Sequence, residues 1–353
     1  MLQNRRFCCL QKGFEMEYRY IGRSGLRVSS VGLGTMTFGS MCDKKESFAI
    51  MDKAHDAGIN FFDTAEVYPV PPRAETAGIT EEIIGEWLQG KSRDSLILAT
   101  KVAGAASGWF VPPIRAGLTA IDAHHIVKGV EGSLRRLRCD YIDLYQMHWP
   151  DTVVPREESM EAFDRLVRSG KVRYLGTSND TAYGTTKSNM IAEYRGYKRF
   201  ESIQNNFSLL NRRFLDEMVE MCRREEVSLL PYSPMAGGVL TGKYNLDRNV
   251  AGRFNQYGKD NDSRIRAMVN RFINEKTLAS TTRYMEIARE IGISSATLAV
   301  AWSKQFDFVA STLIGVTTAR QLDDVLAAID LELDEEVLRK CDAVHDDFLY
   351  PMG

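Results

Sequence analysis

From Val31 onward the chain alternates between two apolar patterns. Short runs rich in β-branched, aromatic and small residues read as buried strands: Val31–Met36, Asn60–Asp63, Ser95–Val102, Ile142–His148, Val172–Asn179, Ser202–Ser208, Val227–Tyr232 and Ser311–Gly315. Between several of them, apolar residues recur three and four apart. Asp43 and Glu46 are spaced as a capping box for a helix that buries Phe48, Met51 and Ala54 and stops at Gly58. A second helix opens at Thr80, with Glu81 and Glu82 in its first turn, where the helix dipole favours acids. Asp122 starts a third, with Ile126, Val130, Leu134 and Leu137 on one face, and Glu157 to Arg168 forms a fourth. Ahead of this series, Tyr18–Ile21 and Leu26–Val28 predict a hairpin turning at Ser24-Gly25.

Strands alternating with helices imply parallel pairing through crossover connections. Eight strands favour a sheet closed on itself, so the expected fold is α/β: a single (β/α)8 barrel over residues 17–353, with an N-terminal hairpin and an extra C-terminal helix. Residues 1–16 are left as an extension without an assigned fold. Its first 14 residues carry three basic and no acidic side chains, which fits an organelle-targeting leader or a stretch upstream of a start at Met16. Asn245 to Glu275 is polar and weakly periodic, and reads as a long loop or lid.

Composition narrows the function classes. Hydrophobic residues at 44% and charged residues at 26% match an ordinary globular core. A net charge of −2 provides no field for nucleic acid or an anionic membrane, and no run approaches the roughly 20 apolar residues of a membrane span. Six scattered cysteines and five histidines lack metal-ligand spacing, so no metal is expected and the chain reads as reduced and cytoplasmic. Gly32-Leu33-Gly34 lacks the third glycine of a dinucleotide fingerprint, which argues against a Rossmann domain.

Chemistry is sought where polar groups end apolar strands, because barrels of this class work at their C-terminal mouth. Asp63, Lys101 and His148 end the second, third and fourth strands, and Tyr68 follows Asp63 in the loop above. Lys101 is expected to lower the pKa of Tyr68, Asp63 to keep Lys101 charged, and His148 to hydrogen-bond a carbonyl. Such a unit donates a proton; no side chain donates a hydride, so a nicotinamide cofactor is implied. Taken singly, Asp63 and Lys101 also fit a plain ion pair, His148 a core histidine and Tyr68 a packing residue. Their four consistent positions favour chemistry.

These residues resemble a known family. Phe61-Phe62-Asp63-Thr64-Ala65-Glu66-Val67-Tyr68, Ala99-Thr100-Lys101-Val102 and Leu144-Tyr145-Gln146-Met147-His148-Trp149-Pro150 are similar to the aldo-keto reductase superfamily, over nearly the whole chain. Tyr68 to Thr76 resembles its Tas-like branch, and Pro231 to Tyr244 the branch with the potassium-channel β-subunits. The resemblance implies a barrel that reduces aldehydes or ketones with NADPH, with Asp63, Tyr68, Lys101 and His148 as catalytic tetrad. It further implies Thr35 and Met36 beside the nicotinamide ribose, and Ser178, Asn179 and Gln204 on the carboxamide. Tyr232 would stack on the nicotinamide ring, and Ser233, Pro234, Met235, Ala236, Gly237 and Lys243 would follow the pyrophosphate. Gly315, Thr317, Gln321 and Asp324 would lie at the adenosine end, with Lys243 and Arg253 on a 2′-phosphate. Many relatives carry Glu-Asn near the adenine, where this chain has Asp324 and Val325.

Three function classes follow: a carbonyl reductase acting on a small molecule, a cofactor-binding regulatory subunit, and a Schiff-base lyase using Lys101. The channel-subunit branch has asparagine at the His148 position, and a lysine held charged by Asp63 is wrong for amine attack. The first class is therefore expected. Substrate selectivity is assigned to the loops at Ala103 to Leu118, with Trp109 and Phe110, and after Lys243, with Trp149 against the substrate or at the barrel rim. The particular carbonyl compound and the oligomeric state are not readable from the chain.

Overall fold

A computed structural model describes residues 7–11, 14–106, 111–259 and 262–352. Trp109 and Phe110 lie outside the described residues. Three strands precede the barrel: β1 (Phe7–Gln11), β2 (Phe14–Tyr20) and β3 (Arg27–Ser29), antiparallel in that order. The expected hairpin is β2 with β3, in which Tyr18 faces Ser29 and Tyr20 faces Arg27. β1 adds a third strand within the segment that had no assigned fold, and Met16 is buried in the core.

Eight parallel strands follow: β4 (Val31–Gly34), β5 (Phe61–Asp63), β6 (Ile97–Val102), β7 (Ile142–Met147), β8 (Val172–Ser178), β9 (Phe200–Gln204), β10 (Ser228–Leu229) and β11 (Thr312–Ile314). Each pairs with its predecessor from β4 to β10, and β11 pairs with β4. The two ends meet through bridges of Leu229 with Val309 and Tyr232 with Leu313, which closes the barrel as expected. β10 is short because Pro231 follows it and has no N–H for a ladder; its carbonyl still accepts from Leu313 N at 2.8 Å.

Helices α1 (Lys44–Asp56), α2 (Ile79–Leu88), α3 (Ala123–Leu137), α4 (Arg156–Arg168), α5 (Ala182–Arg195) and α6 (Met218–Glu225) connect the first strands. Asp43 caps α1 by accepting from Glu46 N, but the capping box is half made: Glu46 Oε1 instead accepts from Ala319 N at 2.6 Å. Glu81 stands in the first turn of α2, as expected. It is fully buried, bonded by the Thr100 hydroxyl at 2.6 Å and by Arg136 at 2.7 Å.

The segment read as a loop or lid is largely helical. It holds α7 (Lys243–Leu246), α8 (Arg253–Tyr257) and α9 (Ser263–Phe272), before α10 (Glu275–Glu290). Ile265, Met268, Val269 and Phe272 of α9 share one face and pack against the cluster that includes Phe254, Tyr257 and Trp302. Four- and five-residue helices fall below the window in which periodicity shows, and basic side chains dilute the face of α9. α11 (Ser295–Lys304), α12 (Leu322–Leu326) and the expected C-terminal helix α13 (Glu335–Asp347) complete the chain.

The barrel interior explains where the polar strand ends sit. Ile21, Leu26 and Val28 of the hairpin plug one end, packing with Phe61, Ala99, Leu144, Leu230 and Leu313. Strand side chains alternate faces, so two residues further along β5, β6 and β7 the inward positions are Asp63, Lys101 and Gln146. They lie toward the opposite end, the C-terminal mouth.

Candidate active site

At that mouth Asp63 and Lys101 form a buried pair, 3% and 0% exposed. Lys101 Nζ donates to Asp63 Oδ1 at 2.5 Å and to the Thr64 carbonyl at 2.7 Å. Asp63 Oδ2 accepts from Gln146 Nε2 and from Gln204 Nε2, each at 2.9 Å. A buried ion pair persists only when its remaining lone pairs and protons are satisfied, and this one has three donors on the carboxylate. Burial works against the Lys101 charge, but Asp63 and Tyr68 together outweigh it and the ammonium titrates above its usual range.

Tyr68 is carried over this pair by a short loop. Glu66 N donates to the Lys101 carbonyl at 3.3 Å, Tyr68 N to that of Ala65 at 3.1 Å, and Val70 N to that of Met36 at 3.0 Å. The Tyr68 ring centre lies 5.0 Å from Lys101 Nζ and 5.6 Å from the His148 ring, edge to face. The expected acidification of Tyr68 is not the net effect. Burial raises its pKa above the ordinary value; Lys101 pulls it down, and Asp63 pushes it up again. The cation acts in the expected direction, but desolvation of a phenolate is the larger effect.

His148 follows the same logic with opposite sign. Burial, then the Lys101 charge, holds its pKa well below the ordinary 6.5, so the ring is neutral at physiological pH. Its Nδ1 is buried without a hydrogen-bond partner among the described residues.

The residues assigned to the nicotinamide end come together around this group. Thr35 donates from N and Oγ1 to the Asp63 carbonyl at 3.0 and 2.8 Å, and the partly exposed Met36 follows it. Ser178 Oγ donates to the Gln204 carbonyl at 2.7 Å. Asn179, in a left-handed conformation with φ 54°, donates to the His148 carbonyl at 2.9 Å and accepts from Tyr232 Oη at 2.8 Å. Gln204 spends its amide protons on Asp63 and on Gln146 Oε1, at 3.1 Å for the latter, so only its Oε1 remains to meet another group.

Beyond Tyr232 the backbone coils tightly. Ser233, Ala236, Gly237 and Gly238 all have positive φ, and Pro234 and Met235 lie between them. A Cβ on Gly237 would fall 2.5 Å from the Phe254 ring, so this glycine lets α8 approach and brings Arg253 Nη1 to 3.7 Å from the same point. Lys243 Nζ lies 3.3 Å from the corresponding point at Gly238. Burial and the nearby Arg253 charge push the Lys243 ammonium below its usual range. Among the described residues neither cation has a carboxylate partner.

At the adenosine end two backbone amides are already engaged by side chains. Thr317 N donates to Gln321 Oε1 at 2.9 Å and Ala319 N to Glu46. Gly315 is partly exposed, and Gln321 and Asp324 are exposed at this rim. Val325 is buried with Leu322, Leu326 and Ile329, so that position packs the core rather than a base.

Trp149 holds the rim through Nε1 to the Ala105 carbonyl at 2.8 Å, and it also packs beside Tyr68 and Ile114. Sequence reasoning missed Gln146, although its place two residues before His148, on the same strand face, was a usable signal. It also missed Arg115. Among the described residues no three His, Cys, Asp or Glu side chains gather as metal ligands would, and no helix is long and apolar enough to cross a membrane.

Residues 30–346 match the Aldo/keto reductase family. The chain belongs to that family. It is 38% identical to Protein tas of Escherichia coli, over 95% of this chain and 99% of that protein. It is 34% identical to a probable voltage-gated potassium channel subunit beta of Oryza sativa, over 93% and 96%. A versiconal hemiacetal acetate reductase of Aspergillus parasiticus is 32% identical, over 92% and 95%. The protein is thus an oxidoreductase of the aldo/keto reductase family.

Proposed function

We propose that the protein is an NADPH-dependent reductase that converts an aldehyde or ketone to the alcohol, with Tyr68 as proton donor. The observation that carries this reading is the fully buried, charged Lys101 beneath the Tyr68 ring, held by Asp63. As the Tyr68 proton moves to the substrate oxygen, negative charge grows on the phenol. A fixed cation there stabilises that charge in surroundings that otherwise oppose it. Neutral His148 donates one hydrogen bond to the same substrate oxygen and polarises the carbonyl. A reduced nicotinamide bound against Tyr232 supplies the hydride for the carbonyl carbon. Hydride and proton together reduce C=O to CH–OH.

Gln204, Ser178 and Asn179 suit the carboxamide: Gln204 Oε1 can accept from its amide, and the Ser178 hydroxyl or the Asn179 amide can donate to its oxygen by giving up its bond to the Gln204 or the His148 carbonyl. The glycine turn at Gly237-Gly238, flanked by Lys243 and Arg253, suits phosphate, since the two cations repel each other until an anion lies near both. A reduced cytoplasmic setting accords with the unpaired Cys42, Cys139, Cys222 and Cys341. The second reading, a regulatory subunit, is supported by the similarity to a potassium channel subunit beta. His148 beside Tyr68 favours turnover.

Steady-state assay with 4-nitrobenzaldehyde and NADPH tests the proposal. Wild type should turn over, and Tyr68→Phe should lose about 10²- to 10⁴-fold with NADPH affinity, read by fluorescence titration, nearly unchanged. A variant keeping more than a tenth of the rate removes Tyr68 as the acid. Tight NADPH binding without wild-type turnover would establish the regulatory reading, and a borohydride-trapped adduct on Lys101 the lyase.

A further inference from the structure

Glu66 lies two residues before Tyr68, is 4% exposed, and has no part in the proton transfer. Its Oε1 accepts from Ala103 N at 2.7 Å and from Arg115 Nη2 at 2.8 Å, and its Oε2 accepts from Arg115 Nη1 at 2.8 Å. One side chain therefore joins the Tyr68 loop, the strand end just past Lys101, and a segment 49 residues away in sequence. The site is sealed from behind by Gly129 of α3, where a Cβ would fall 2.8 Å from Tyr145 Oη and 3.5 Å from Glu66 Oε2.

Arg115 reaches this position through an unusual backbone. Arg115, Ala116 and Gly117 have φ of 49°, 54° and 75°, three consecutive residues in the left-handed region. Such a run persists where surrounding contacts over-determine it, and the two-pronged bond to Glu66 is the strong contact available. Its consequence lies one residue back. Ile114 packs with Tyr68 and Trp149 against Ala65, Val67 and Ala103, so an apolar wall stands beside the phenol that meets the substrate. Trp149 Nε1 on the Ala105 carbonyl and Thr119 Oγ1 on that of Gly104, at 2.6 Å, pin the start and end of the same segment.

We infer that Glu66 and Arg115 are positioning residues that hold Ile114 and Trp149 as the apolar wall of the carbonyl pocket. The pocket thereby selects uncharged aromatic or bulky aliphatic carbonyl compounds over small ones. The inference rests on the reductase reading. Glu66 and Arg115 neutralise each other, so the wall carries no net charge toward the substrate. Removing the guanidinium leaves a buried carboxylate with Ala103 N alone, and the chain around Arg115 then has no reason to keep its left-handed run.

The test compares wild type, Arg115→Met and Arg115→Lys with 2-naphthaldehyde and propanal. Dissociation constants are measured by calorimetry on the complex with NADP⁺, which cannot turn over, and KM and kcat with NADPH. For Arg115→Met the expected result is roughly tenfold weaker binding and higher KM for 2-naphthaldehyde. Propanal binding, kcat and NADP⁺ affinity should stay within about threefold, below the roughly tenfold that a lost apolar contact gives. Arg115→Lys, which keeps one charged donor, should recover part of the loss. Unchanged 2-naphthaldehyde binding in Arg115→Met overturns the inference. So does an equal loss for both aldehydes together with a lowered melting temperature, which would mark a purely structural pair. Wild type that binds 2-naphthaldehyde but does not reduce it would refute the reductase reading while the binding comparison still decides the inference.

Discussion

Replacing Lys101 by methionine keeps the length of the side chain and removes its charge from the least accessible part of the site. Two bonds vanish, to Asp63 Oδ1 and to the Thr64 carbonyl. Breaking a buried pair from one side costs about 3–5 kcal/mol. The low end applies here, because Gln146 and Gln204 still hold Asp63 Oδ2. For 353 residues the unfolding entropy is roughly 0.7 kcal/mol/K, so a loss of about 3 kcal/mol lowers Tm by about 4 °C. Turnover should fall at least about 10²-fold, since the Tyr68 proton would leave with no cation to receive the charge. The double variant Asp63→Asn, Lys101→Met separates the two effects. With both charges gone, much of the stability should return and none of the activity. Scanning calorimetry and steady-state kinetics on wild type and the two variants suffice. Tm within 1 °C of wild type for Lys101→Met, or near-normal turnover in the double variant, would refute the reasoning.

Two other perturbations bear on the same site. Arg253→Ala removes one of two cations on the Gly237-Gly238 turn. A hydrogen bond to a charged group is worth roughly 1.5–3 kcal/mol, so NADPH binding should weaken about 10- to 150-fold. The lower half of that range is expected, because Lys243 remains as a cation on the turn and loses its like-charged neighbour; NADH should stay within about threefold, and equal losses for both cofactors would place Arg253 on the loop instead. The pH profile of kcat/KM should show no limb from His148 near its usual 6.5, because its folded value lies well below that, and should fall only above the ordinary range of Tyr68, whose pKa is raised. The stability signs differ: neutral His148 favours the native state above its unfolded value and this is lost as pH falls below it, whereas Tyr68 and Lys101 contribute below theirs and lose it at alkaline pH. A His148→Asn variant with an altered profile near pH 6.5 would contradict the first sign.

The sequence by itself determined the barrel and the family, and it pointed to the polar residues that meet at one mouth. Strand and crossover patterns are local, and a period of two on β5, β6 and β7 is enough to send Asp63 and Lys101 to the same side of the same mouth. Asp43 and Asp122, each capping the helix that it starts, were legible for the same reason. What depended on distance in space was not legible. Whether Glu46 completes its capping box depended on Ala319, 273 residues away, and whether Glu81 is solvated depended on Thr100 and Arg136. The helices between Lys243 and Phe272 exist because the cluster around Trp302 gives their few apolar residues somewhere to pack. Tyr68 shows the division most plainly. Its proposed role as the acid was readable from a lysine and an aspartate one strand unit apart, but the direction of its pKa shift was not. That direction is set by how much water the folded chain leaves around the phenol, and desolvation belongs to the packed structure rather than to any stretch of sequence.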